Sequence, residues 1–205
     1  MTHYFTNDSK LSSLEKEVKV EINDQTYSFV TDNGVFSKKG LDFGTRSLLA
    51  CLPLERLKGK ILDFGCGYGP IGIYASKNTD ALVDMVDVNK RSVALAKKNA
   101  LLNKVNVNVF ESDIYNNVTN KYNFIITNPP IRVGKKILYE ILFEAKRHLL
   151  EDGELWLVIN KDQGAKTVVR DLGNEYTVQI VDKNKGFYII CARNDWQFVY
   201  ILLKL

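Results

Sequence analysis

The chain is poor in the residues that would commit it to a metal, a disulfide framework or a bilayer. Its three cysteines, Cys51, Cys66 and Cys191, are scattered and odd in number, without the paired spacing of a zinc site or a disulfide scaffold, and read as reduced thiols. Its two histidines, His3 and His148, have no Cys or His at ligand spacing, so no metal is expected. No run of about 18 apolar residues occurs, and Met1-Thr2-His3-Tyr4-Phe5 carries no basic segment ahead of an apolar core. Neither a membrane span nor a secretory leader is therefore expected, and the expected location is the cytoplasm. Charge of one sign is not in large excess: 28 Lys and Arg against 24 Asp and Glu leave +4, compatible with a polyanionic partner without requiring one. Repeats and low-complexity tracts are absent as well.

What is present is an ordinary globular balance, 45% hydrophobic and 25% charged over 205 residues, enough for one substantial core. From residue 60 on, β-rich runs alternate with helical patterns, which predicts an α/β fold with a mostly parallel sheet. Strands are expected at 60–64, 82–87, 105–110, 122–127 and 154–159, with helices from Pro70 to Lys77, over 90–102 behind an Asn89 cap, and over 136–150. Gly153 is expected to end the last of these helices and launch the next strand. A helix at 167–172 then precedes strands at 176–181 and 187–192, joined by Asp182-Lys183-Asn184-Lys185-Gly186, a hairpin whose two strands must be antiparallel. Ahead of residue 60 stand a hairpin, 17–22 and 26–30, and a helix at 42–51. The expected division is a single domain over 1–205: an N-terminal extension (1–59), a core (60–193) and an unassigned apolar tail (194–205).

Two segments carry chemistry. Asp63-Phe64-Gly65-Cys66-Gly67-Tyr68-Gly69 follows a short apolar strand, so its glycines can turn sharply and bring backbone N–H groups close to a ligand. Gly67, Gly69 and Gly72 also satisfy the dinucleotide pattern G-x-G-x-x-G, and Asp87 at the end of the next strand suits a ribose in either reading. Asp63 separates the two, because a carboxylate ahead of the loop attracts an amino group and repels a pyrophosphate. That favours S-adenosylmethionine over NAD. Asp113, after the third core strand, is placed to accept from an adenine amino group, or else to cap a turn.

The second segment is Asn128-Pro129-Pro130-Ile131, at the end of the run Tyr122 to Thr127. An exocyclic amine on a heteroaromatic ring is a poor nucleophile because its lone pair is delocalised. An Asn128 side-chain oxygen and a Pro129 carbonyl, each accepting one N–H, would draw the nitrogen toward tetrahedral geometry and aim its lone pair, so that positioning supplies the catalysis. Ile131 stands where many such corners have an aromatic, and Phe36 is the candidate for stacking on the base. Arg132 and Lys135 are candidate contacts to a nucleic-acid substrate.

On His3-Tyr4-Phe5, Thr31 to Ser37, Leu41-Asp42-Phe43-Gly44-Thr45, Asp63 to Gly69 and Asn128 to Lys135, the chain resembles the C-type 16S rRNA guanine-N2 methyltransferases. The resemblance runs to about Arg193. It implies a class I methyltransferase, Rossmann-like, with a mostly parallel seven-stranded sheet whose last strand is antiparallel. It also implies S-adenosylmethionine as donor, and 16S rRNA or the 30S subunit as substrate for a monomeric enzyme. Asp63, Gly65 and Gly67 would hold the methionine end, Asp87 the ribose, Asp113 the adenine and Asn128 the reacting amine, with Phe36 bordering the pocket. Longer members of that family have two tandem domains, and this chain matches the catalytic one. Three other readings stay open: a protein glutamine methyltransferase, a noncatalytic ribosome-assembly module that binds RNA, and an NAD-dependent oxidoreductase.

Overall fold

The computed structural model describes residues 12–33, 35, 37, 40–130 and 134–195; Phe36, Ile131, Arg132 and most of the apolar tail lie outside them. Seven strands form one sheet in the order β5-β4-β3-β6-β7-β9-β8, where β3 is Lys60–Phe64, β4 Leu82–Asp87, β5 Asn108–Glu111, β6 Tyr122–Thr127, β7 Leu149–Asn160, β8 Thr177–Asn184 and β9 Phe187–Arg193. Pairings from β5 through β7 are parallel, whereas β9 runs antiparallel to both β7 and β8, so the last strand alone is reversed, as the resemblance implies. A separate two-stranded hairpin, β1 (Lys16–Ile22) and β2 (Gln25–Thr31), turns on Asn23 and Asp24, both at positive φ (46° and 61°).

The sheet is covered on both faces, and the period-two alternation of its strands sorts residues between them. Ile61, Met85, Ile126, Trp156 and Ile189 face one core, shared with α1 (Phe43–Cys51), α2 (Pro70–Asn78), α3 (Lys90–Leu102) and the hairpin. Leu62, Val86, Ile125, Leu157 and Ile190 face the other, under α4 (Lys135–His148) and α5 (Ala165–Leu172). Helix α4 is the most amphipathic long segment: Leu138, Ile141, Leu142 and Ala145 are buried at helical spacing and Lys146, Arg147 and His148 sit in its last turn.

The N-terminal hairpin is held by side chains that imitate a strand. Asn99 on α3 accepts from Val30 N (2.7 Å) and donates to Val30 O (2.9 Å), while Asn103, one turn on, does the same for Ser28 (3.3 and 2.7 Å). With a second donor hydrogen, Asn99 also reaches Tyr68 O in the glycine loop (2.8 Å). The edge of β2 is thereby paired without a third strand, and Val20, Ile22, Tyr27 and Phe29 join the core beneath.

Three strand boundaries lie three or more residues from the sequence reading: the start of β7, the end of β8 and the start of β5. Helix α4 stops at His148 rather than Leu150, and β7 begins at Leu149 rather than Glu154, with an irregular stretch before Glu154 in which Asp152 takes φ +58°. Gly153 lies inside that strand, where a Cβ would come within 2.9 Å of Leu150 O and 3.1 Å of Tyr122 O. The polar run 182–186 is mostly strand: β8 continues to Asn184, and only Lys185 (φ +45°) and Gly186 (φ +85°) make the turn. An edge strand can be polar throughout because one face and one edge meet water. Strand β5 starts at Asn108, three residues later than the alternation suggests.

Candidate active site

The chain leaves β3 toward β4 and β5 on one side and returns through β6 and β7 on the other, so the order reverses between β3 and β6. Open α/β sheets bind ligands at such a reversal, outside the carboxyl ends of the strands. Both predicted segments start there. Asp63 lies in register with Ile126 on the neighbouring strand, and Thr127 Oγ1 donates to Phe64 O (2.8 Å), locking the two strand ends together. The glycine turn and the double-proline bend therefore open onto one lip of the sheet.

On the β3 side, the loop is suspended between two carboxylates. Asp63 is fully buried; its Oδ2 accepts from Gly72 N (2.8 Å), but its Oδ1 has no partner among the described residues. Burial, reinforced by nearby Asp87, pushes its carboxyl up to about 7. Gly72 is forced by this contact, since a Cβ would fall 2.6 Å from Met85 Cγ and 3.1 Å from Asp63 Oδ2. Asp87 accepts from Gly67 N (2.9 Å) and Asn89 N (2.8 Å), and its pKa is also raised by burial despite these bonds. At Gly65 (φ +69°) and Gly67 (φ +57°) an added Cβ would meet nothing within 4 Å among the described residues. The backbone thus borders open space at the lip. Cys66, by contrast, is buried with its thiol pushed well above the ordinary range, which removes it as a nucleophile.

On the β6 side, Asn128 is half-buried and its amide nitrogen is saturated. Nδ2 donates to Thr45 Oγ1 (2.8 Å) and to the carboxylate of Asp42 (3.3 and 3.5 Å to the two oxygens). Asp42 is the N-cap of α1, accepting from Thr45 N (3.1 Å) and from Thr45 Oγ1 (2.5 Å). No donor among the described residues reaches Asn128 Oδ1, so its carbonyl faces away from α1 with its lone pairs unused. Pro129 is buried and Pro130 half-buried beside it.

The remaining predicted residues spread along the lip. Asp113 is exposed just beyond β5, in a turn closed by Asn116 N to Asp113 O (3.0 Å), and Ser112 N donates to Asp87 O (3.1 Å) to hold that turn near the β4 end. Lys135 opens α4 with its ammonium 4.9 Å from the Tyr139 ring centroid. Sequence reasoning missed Asp42 and Thr45 as site residues. The pattern Asp-x-x-Thr at the start of α1 reads as a helix cap, and only the fold brings it to Asn128.

The methyltransferase small domain model matches residues 26–191, from the hairpin to β9. The chain belongs to the methyltransferase small domain family. An uncharacterized protein of Bacillus subtilis, YbxB, is 41% identical over 196 residues, covering 93% of this chain and 98% of that one. The ribosomal RNA small subunit methyltransferase C of Vibrio parahaemolyticus is 33% identical over 185 residues, covering 88% of this chain and 53% of its own length. Among solved structures, the T. thermophilus 16S rRNA N2 methyltransferase in complex with AdoMet and guanosine superposes with a TM-score of 0.79 at 25% identity, covering 90% of this chain and 52% of that one. The chain thus spans about half the length of the ribosomal RNA methyltransferases it matches. The fold is that of a class I methyltransferase.

The residues of this site fit S-adenosylmethionine. A buried carboxylate with one orphaned oxygen suits a ligand that brings an ammonium group, and it opposes a pyrophosphate. The open space beside Gly65 and Gly67 would admit the methionine end. Asp87, which accepts from the backbone N–H groups of Gly67, Val88 and Asn89 and so keeps one of four lone-pair sites on its two oxygens, would take a ribose hydroxyl, and Asp113 the adenine amine. Among the described residues no cluster of His, Cys, Asp or Glu could hold a metal, and no helix is long and apolar enough to cross a membrane.

Proposed function

We propose that this chain transfers a methyl group from S-adenosylmethionine to the exocyclic N2 amine of a guanosine in small-subunit ribosomal RNA. One observation carries the reading: the open carbonyl of Asn128 and the glycine turn flank the same β3/β6 reversal, on strands that are direct neighbours. Adjacent strands lie about 4.8 Å apart, so a methyl donor lying over the loop and an amine held at Asn128 are within reach of a single displacement. S-adenosylmethionine supplies the methyl on a positively charged sulfur. The chain's own part is to accept the two amine hydrogens at Asn128 Oδ1 and the Pro129 carbonyl, which withdraws the nitrogen lone pair from the purine ring and aims it. No general base is needed, because the alkylated nitrogen is acidic and loses one proton to solvent.

The target base must leave its stack to reach this lip. Similarity to named 16S rRNA methyltransferases supports guanosine of the small subunit as the acceptor. Asp63, Gly65, Gly67, Asp87 and Asp113 form the donor side in this reading, and Asn128 with the two prolines the acceptor side. Lys135 at the start of α4 is a phosphate contact, and the enzyme acts as a cytoplasmic monomer. Incubating the protein with labelled S-adenosylmethionine and 30S subunits, then digesting the RNA to nucleosides, tests the proposal. Label in N2-methylguanosine is expected; label confined to ribosomal protein or to another nucleoside overturns the substrate.

A further inference from the structure

We propose that Asp42 and Thr45 are positioning residues for the reaction: they fix the side-chain amide of Asn128 in the one orientation that presents its oxygen to the substrate amine. This rests on the reading of Asn128 as the acceptor in the transfer. An asparagine amide can rotate by half a turn and exchange its oxygen and nitrogen with almost no change in shape. Only its hydrogen-bond partners decide which end faces the ligand. Here the deciding partners are three oxygens: Thr45 Oγ1 at 2.8 Å and the Asp42 carboxylate at 3.3 and 3.5 Å from Nδ2.

The hydroxyl could in principle serve either end of the amide, but its hydrogen is already committed. Thr45 Oγ1 donates to Asp42 Oδ2 at 2.5 Å, which leaves it only lone pairs to offer Asn128. A flipped amide would point its carbonyl oxygen at a carboxylate and at a hydroxyl with no hydrogen to give. It would lose both bonds and gain a repulsion. Asp42 thus orients Thr45, the pair orients Asn128, and Oδ1 faces out. Donation to an ionised carboxylate also polarises the amide toward its oxygen, strengthening Oδ1 as an acceptor.

The pair is rigid because α1 is. Asp42 caps the helix through Thr45 N, and Arg46 N donates to Asp42 O (3.0 Å). Phe43 packs on Phe187 of β9 with ring centroids 5.6 Å apart, and at Gly44 a Cβ would sit 3.0 Å from the Phe187 ring and 3.1 Å from Asp42 Oδ1. Any side chain at position 44 would press between the helix start and the sheet. The orientation of Asn128 is therefore set from a different part of the chain, 83 to 86 residues away.

Asp42 has two jobs, and a serine separates them. Asp42→Ser keeps an oxygen able to cap α1, since serine is among the preferred capping residues, but withdraws the carboxylate from Asn128. Thr45→Val removes the hydroxyl at constant shape, and Thr45→Ser returns it. Steady-state methyl transfer and calorimetric S-adenosylmethionine binding should be measured for each, with Asn128→Ala alongside. Expected are a fall in kcat of tenfold or more for Asp42→Ser and Thr45→Val, a cofactor Kd within twofold of the parent, and recovery of most of the lost kcat in Thr45→Ser. Cofactor binding also reports that each variant is folded. If Asn128→Ala is inactive while Asp42→Ser and Thr45→Val keep kcat within twofold, the positioning role is overturned and the acceptor role of Asn128 stands. Should Asn128→Ala retain full activity, the acceptor reading itself fails. Equal losses of kcat and cofactor affinity in the pair variants would make them merely structural, and also overturn the proposal.

Discussion

Asp63 is the residue whose burial should be most visible in solution. Its carboxyl is fully enclosed, accepts one hydrogen bond and has an orphaned second oxygen, and its pKa stands near 7 against an ordinary 3.8. A carboxyl whose pKa is raised on folding binds its proton more tightly in the native state. Stability from this group is therefore complete below about pH 4 and is lost progressively as pH rises toward 7 and through it. At roughly 1.4 kcal/mol per pKa unit the loss amounts to about 4 kcal/mol, a large part of a domain's net stability. Denaturant unfolding of the ligand-free protein between pH 5 and pH 8 would register it, and Asp63→Asn removes the titration. The stability difference between variant and parent should shift in favour of the variant by about 2 to 4 kcal/mol across that range. The same proton links to the cofactor: a ligand ammonium near Asp63 holds the carboxylate ionised. Binding at pH 6 should then release close to one proton, as seen by calorimetry in two buffers of different ionisation enthalpy, and binding at pH 8 almost none. Parallel stability profiles for parent and variant, together with no proton release at pH 6, would refute the assignment of Asp63 as a strained, cation-seeking carboxyl.

Other predictions separate the cofactor loop from the scaffold. Gly67→Ala places a Cβ in open space at φ +57°, so unfolding measurements should show a loss of only about 1 to 2 kcal/mol, while S-adenosylmethionine affinity by calorimetry falls more than tenfold. Asn99→Leu leaves Val30 N, Val30 O and Tyr68 O unpaired and should cost about 2 to 4 kcal/mol in denaturant unfolding, with increased proteolytic cleavage in β1 and β2. At the far end of the sheet, the buried carboxylate of Glu154 accepts from Arg56, Trp156 and Arg193, which hold its pKa below the ordinary 4.5 despite burial. Glu154→Gln should destabilise the protein by about 1 to 3 kcal/mol at pH 7, discounted for the half-exposed arginines. That advantage of the parent should vanish as pH falls through the lowered pKa, with methyl transfer at neutral pH unaffected per folded molecule.

Which features were legible in the sequence follows from how local their causes are. The bounds of β3, β4 and β6 were readable because each is a short apolar run stopped by an acid or by a Gly or Pro bend, signals contained in the segment itself. Asn89 was readable as the cap of α3 for the same reason: its Oδ1 accepts from Arg91 N and Ser92 N, two and three residues on. The start of β7 was not. Gly153 looks like a helix stop, but the strand pairs Leu149 with Tyr122 before the irregular stretch, and that pairing depends on a neighbour 27 positions earlier. The turn at Lys185 and Gly186 was misjudged because polar composition signals a loop only where both faces would otherwise be buried, and β8 is an edge.

The same distinction explains why half of the acceptor side was invisible. Asn128 announces itself through its proline neighbours, yet a lone asparagine offers either an oxygen or an NH2 group to a ligand, and the sequence around it does not choose. The choice is made by Asp42 and Thr45, whose own sequence signature is an ordinary helix cap that is fully explained without any site. A side chain that satisfies a local role leaves no unexplained residue to attract notice. Only when the fold puts α1 against the β6 lip does the cap acquire a second hydrogen-bond partner. Asn99 has the same double character, holding the hairpin by Val30 and the glycine loop by Tyr68 O from one buried amide. Both halves of the site are thus fastened to elements outside β3 and β6 by amides whose N–H donors are completely spent. A perturbation in the N-terminal hairpin or at the start of α1 should therefore reach the lip through hydrogen bonds rather than through the packing of the sheet.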